Sequence, residues 1–143
     1  MKKLFVIFAL LAPVSSVVFA ATNLVSMNQS QTTKAISDKT ITTIPAVTID
    51  GKVISDIFTC YFGANGKMNG KFAAKQADGP QVDQGTWIVK PDGMMCTTWE
   101  HWNHAKEKCV SLYKLNNALL FADSDLNFKS LVLNSEVKSG NQM

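Results

Sequence analysis

Between Ala46 and Leu133, every strand-like run of this chain ends on a turn former. AVTID stops at Asp50-Gly51, DIFTCYF at Gly63-Ala64-Asn65-Gly66, and GTWIVK at Pro91-Asp92-Gly93. CVSLYKL runs into Asn116-Asn117 and ALLFA into Asp123-Ser124-Asp125, before LNFKSLVL closes the series. Asp-Gly and Asn-Gly steps accept positive φ, and the Thr, Val, Ile, Phe, Tyr and Trp between them suit a pleated, half-buried surface. The pattern predicts an all-β domain, an antiparallel meander of about seven or eight strands. Such a sheet must bury one face and protect its edges, so it closes into a small barrel or folds into a two-sheet sandwich.

The flanks are read separately. MKKLFVIFALLAPVSSVVFA has two lysines, an apolar run and small residues ending in Val18-Phe19-Ala20, the layout of a secretory signal peptide over 1–20. The run is too short for a comfortable membrane span, and cleavage after Ala20 predicts a periplasmic or secreted protein with no span of its own. Residues 21–44 are rich in Thr, Ser, Gln and Asn with scattered apolar positions, and predict a flexible polar arm. Residues 45–134 form the single β domain, and 135–143 a frayed tail.

Charge narrows the partners. Removing Lys2 and Lys3 leaves twelve lysines against eleven carboxylates, a net charge of +1, and the chain has no arginine. Without the bidentate fork that suits phosphates and base edges, nucleic acid is a poor partner. The expected occupant is a small molecule or an envelope protein, bound by a monomer.

MCTTWEHWNHAKEKC, Met95 to Cys109, is the densest cluster of chemistry in the chain. If its first half is extended, Met95, Thr97, Trp99 and His101 face one way and Cys96, Thr98, Glu100 and Trp102 the other. HAKEK favours helix, so Asn103 to Lys108 has the makings of about one and a half turns. His101 and His104 are the candidate metal ligands, but zinc needs three or four convergent donors. Extended backbone sends the two imidazoles apart and turns Glu100 away from His101, so no metal is expected; one histidine packs at the sheet surface and the other sits in the loop. Cys96 and Cys109 flank a segment that turns the chain back on itself, and in an oxidising compartment they are expected to form a disulfide. Cys60 alternates with Phe58 and Phe62, which predicts a small buried apolar side chain.

Other constellations fail. The chain has no GxSxG, HExxH, Gly-rich phosphate loop or calcium-loop pattern. Ser111 or Ser130 with a histidine and an aspartate makes a triad only on paper. No catalytic residue and no cofactor is therefore expected. Trp87 alternates with Val89 and is read as core, leaving Trp99, Trp102 and Tyr61 as the candidate ligand or partner surface.

Tyr61-Phe62, Gly66-Lys67, Gly70, Gly85-Thr86-Trp87, Asp92-Gly93, Cys96, Trp99 and Cys109 occur in an order that resembles a family of small exported bacterial proteins classified as a domain of unknown function. The resemblance runs from about Ile49 to Leu133 and implies a β-rich exported domain with a Cys96–Cys109 bridge and no assigned activity; Cys60 is extra to its pattern. The expected function is a non-enzymatic binding module of the bacterial envelope, for an apolar, carbohydrate or protein ligand. The alternative is a periplasmic inhibitor of a wall-degrading enzyme such as lysozyme.

Overall fold

The computed structural model describes residues 24–47, 50–51, 53–74 and 79–143. The predicted signal peptide lies outside them. A helix, α1 (Gln29–Ile36), precedes eleven strands: β1 (Lys39–Thr42), β2 (Ala46–Val47), β3 (Val53–Ser55), β4 (Phe58–Phe62), β5 (Lys67–Phe72), β6 (Val82–Val89), β7 (Met95–Trp99), β8 (Lys108–Lys114), β9 (Ala118–Ala122), β10 (Phe128–Leu133) and β11 (Val137–Ser139). Nine form one antiparallel sheet in the order β10-β9-β8-β7-β6-β5-β4-β1-β11, while β2 and β3 make a separate ribbon. An isolated bridge between Ile44 and Leu131 draws the β1 side toward β10, and the sheet curls into a nearly closed barrel.

The predicted meander is present, and alternation explains its interior. Along β6, Asp83, Gly85 and Trp87 are buried while Val82, Gln84, Thr86 and Ile88 are exposed. Ile41, Phe62, Met68, Trp87, Met95, Leu112, Phe121 and Val132 fill the barrel together with the fully buried Cys60. Burial pushes the Cys60 thiol well above its usual range. Cys96 and Cys109 sit directly opposite in the β7–β8 register and are bridged. A thiol reagent should therefore label no cysteine in the native protein and one, Cys60, after denaturation without reductant. Labelling of native Cys60, or a peptide map linking it to another cysteine, would contradict this arrangement.

Two expectations are corrected. Residues 21–44 are not a flexible arm over their described part, because they supply α1 and β1. Asn28 caps α1 through a reciprocal box with Gln31, and Ile36 and Thr32 are buried. Thr32 Oγ1 donates to the Gly93 carbonyl at 3.1 Å and Gln29 Nε2 to that of Val89 at 3.0 Å, so the helix plugs the end of the barrel where β6 turns into β7. Residues 135–143 are not a frayed tail either. Their β11 pairs with β1, whose Thr40 hydroxyl donates to Gly140 O at 2.7 Å and accepts from the Gln142 N–H at 2.9 Å. These two strands from the flanks raise the sheet to nine, above the seven or eight expected.

No helix among the described residues is long and apolar enough to cross a membrane.

A candidate ligand site at the barrel mouth

The end opposite α1 stays open. Phe58 begins β4, Phe72 ends β5 and Trp99 ends β7, so alternation and strand length bring three inward rings to the same rim. Trp102 joins them from the turn Trp102–Ala105. Ring centroids are 5.0 Å apart for Phe58–Phe72, 4.8 Å for Phe72–Trp102 and 4.8 Å for Trp99–Trp102, and Phe58 meets both tryptophans at 5.8 Å. All four rings are only half-buried.

Gly70, between Met68 and Phe72 on the inner face of β5, makes the cluster fit. A Cβ there would lie 2.6 Å from Trp99 Cη2, 2.7 Å from Trp102 Cζ3 and 2.9 Å from Phe58 Cε2. The rings border a cavity of about 530 Å³ whose floor is Ile41, Phe62, Met95 and Phe121. Thr43, Thr97, Asn103 and Ser130 add polar groups to its walls, and Asp56, Lys108 and Lys129 add charged ones. That size, with an aromatic and aliphatic interior and polar and charged groups along the walls, is typical of a small-molecule site.

One carboxylate holds the turn over the mouth. Asp83 sits at an inward position of β6, with its side chain 1% exposed. Its Oδ2 accepts the N–H of His101 at 2.9 Å and of Trp102 at 2.8 Å. Its Oδ1 accepts the Gln84 N–H at 2.9 Å and meets His101 Nδ1 at 2.9 Å. An ionised carboxylate only accepts, so His101 Nδ1 carries the proton of that contact. Trp102 Nε1 donates to the Pro80 carbonyl at 2.7 Å, a second tie on the same residue. The turn needs these ties, since Asn103, His104 and Ala105 all have φ near +55° (56°, 55° and 54°), a left-handed run that side chains disfavour. HAKEK therefore forms no right-handed helix.

Burial alone would raise the Asp83 carboxyl, but the hydrogen bonds from Trp102, the His101 ring and backbone, and Gln84 outweigh it and hold the group below the usual carboxylate range. The same pair raises His101, through the hydrogen bond and then the charge of Asp83. A raised histidine stabilises the fold below its ordinary value of 6.5 and ceases to as pH rises through the folded value. A lowered aspartate stabilises above its ordinary 3.8 and ceases to as pH falls through the folded value. The turn is thus held best between those limits. In a proton NMR titration His101 should have its midpoint above 6.5, and Asp83→Asn should bring it back toward 6.5. An unshifted midpoint in the parent chain would mean the contact is not made in solution.

The sequence candidates fare differently. Trp99 and Trp102 come together at the mouth. Tyr61 does not join them; it shares the outer face of β4 with Thr59, and its hydroxyl donates to Asp38 Oδ1 at 2.8 Å, which raises the phenol. Of the two histidines, His101 is taken by Asp83, and His104 belongs to no group of three ligand atoms among the described residues. Glu100 does not turn away from His101, because β7 ends at Trp99 and strand alternation no longer applies. Asp83, Glu100 and His101 bring ligand atoms within 4.8 Å of one another. Both Asp83 oxygens already accept hydrogen bonds and His101 presents a proton to one of them, so this is a hydrogen-bonded latch in form. Cys96 and Cys109, close to Glu107, are bridged and offer no thiolate.

Phe58, Phe72, Gly70 and Asp83 were missed as site residues, although one signal was present. In VDQGTWIV, the spacing that buries Trp87 also buries Asp83, and an acid on the core side of a strand marks a place where the backbone needs an acceptor. No family model, curated protein or solved structure matches the chain.

Proposed function

We propose that the chain is an exported, non-enzymatic binding module of the bacterial envelope that takes an apolar ligand in the barrel mouth. The observation that carries this reading is the bowl of four half-exposed rings around a cavity of about 530 Å³. Apolar is favoured over carbohydrate because the rings lean on one another at 48° to 85°. A sugar stacks on a flat exposed ring face, whereas tilted rings meet an apolar surface from several sides. The polar and charged groups of the walls orient a ligand. Export is supported by the charged start, the apolar run and Val18-Phe19-Ala20, and by a disulfide that persists in oxidising compartments.

The test is a titration with the neutral apolar probe N-phenyl-1-naphthylamine, read by energy transfer from tryptophan. Binding is expected, and Trp102→Ala should weaken it by about tenfold or more. Equal binding by parent and variant would overturn the mouth as the site. Stoichiometric inhibition of lysozyme, with no probe binding, would replace this reading by that of an enzyme inhibitor.

A further inference from the structure

At the opposite end of the barrel, a second cleft of about 690 Å³ runs between α1, the β8–β9 hairpin and β11. Its apolar surface comes from Val25, Met27, Ala35, Leu119 and Val137. Val25 is 76% exposed, Met27, Ala35 and Val137 are half-buried, and the buried Leu119 lies at the floor. The N-terminal segment is fixed at this rim, because the Met27 N–H donates to the Leu112 carbonyl at 2.7 Å and Ser26 bridges Tyr113.

Charge distinguishes this cleft from the mouth. Lys34 on α1, Lys39 at the start of β1 and Lys114 at the end of β8 all line it, and no carboxylate does. Elsewhere Lys90 pairs with Glu107 at 2.9 Å and Lys129 with Asp123 at 2.7 Å. Among the described residues none of the three cleft lysines has an ion-pair partner; Lys39 Nζ donates to Ser139 Oγ at 3.1 Å. In a chain whose lysines and carboxylates nearly balance, three unpaired ammonium groups around one apolar groove are a local excess of positive charge. An anion gains there from all three, and an alkyl chain gains by covering the exposed apolar wall.

We infer that this cleft binds a single-chain amphiphile with an anionic head, its alkyl chain along Val25, Met27, Ala35 and Leu119 and its head among Lys34, Lys39 and Lys114. Carboxylate and phosphate heads share that chemistry.

The test is isothermal titration of the full chain with decanoate, decyl phosphate and decyltrimethylammonium, each below its micelle concentration. At least one anion should bind, the tighter one naming the head group, and the cation should bind about tenfold more weakly or not at all. Lys34→Gln combined with Lys114→Gln, both at exposed positions, should weaken the anion by about tenfold, while Trp102→Ala should change it by less than about twofold. Equal binding of anion and cation, an unweakened double variant, loss of binding in Trp102→Ala, or no anion binding would each overturn the inference. The neutral probe reports on the mouth and the charged series on the cleft, so failure of one reading is distinguishable from failure of the other.

Discussion

Replacing Ile36 by alanine is expected to destabilise the fold by about 2–5 kcal/mol, the cost of emptying a fully packed position. Ile36 is 0% exposed and joins the barrel core from the last turn of α1, although that helix, QSQTTKAI, is polar over most of its length. The side chain packs into the core at one end of the barrel, so its truncation leaves a cavity there. Ile36→Val, which keeps the shape, should cost only about 0.5–1.5 kcal/mol. Urea denaturation of the three proteins checks both figures. If Ile36→Ala fell within about 0.5 kcal/mol of the parent, as surface changes do, the N-terminal segment would be a mobile arm after all.

Removing the Asp83 carboxylate is expected to cost about 3 kcal/mol or more, because hydrogen bonds to a charged, buried acceptor are strong and several donors lose that acceptor at once. Two of those donors are the backbone N–H groups of His101 and Trp102. Without that acceptor the turn loses the bonds that hold it over the rim, so Asp83→Ala should both destabilise the protein and open the mouth. Tryptophan emission should shift to the red, and binding of the apolar probe should fall with it. Asp83→Asn retains one acceptor oxygen and should lie between. His101→Ala should change little, because that ring is 66% exposed and the backbone bonds to Asp83 survive its loss. A stable Asp83→Ala protein with parental emission would show that Trp102 is held without the carboxylate.

The meander, the paired cysteines and the core role of Trp87 were legible because they follow from local rules: turn chemistry, short loops and alternation. α1 escaped because the pattern of apolar residues is the main signal for a helix, and QSQTTKAI has no apolar stripe. Asn28 and Gln31, spaced as a capping box, were the only local sign of it. β1 and β11 escaped because four and three residues are too few to show alternation, and their pairing joins positions about a hundred residues apart, such as Lys39 and Ser139. At the site, alternation in DIFTCYF already set Tyr61 on the face opposite Phe58, Cys60 and Phe62. The encounter of Trp99 with Trp102 depended instead on where β7 stops and on a buried acid one strand away, and neither is a property of the segment that carries the tryptophans.

The placement of β1 also bears on how the barrel is made. It lies between β4, which follows it closely, and β11, which comes last. A chain growing from its N-terminus can build the hairpins from β4 to β10 as they emerge, since each strand finds its neighbour next in line. The final seam waits for residues 137–139, and closing so long a loop is slow compared with forming a hairpin. Until then one edge of β1 has no neighbour, and an unpaired edge is where a second chain can attach. Residues 137–139 thus act as a closing stitch, and until they pair with β1 that edge stays open to association with another chain.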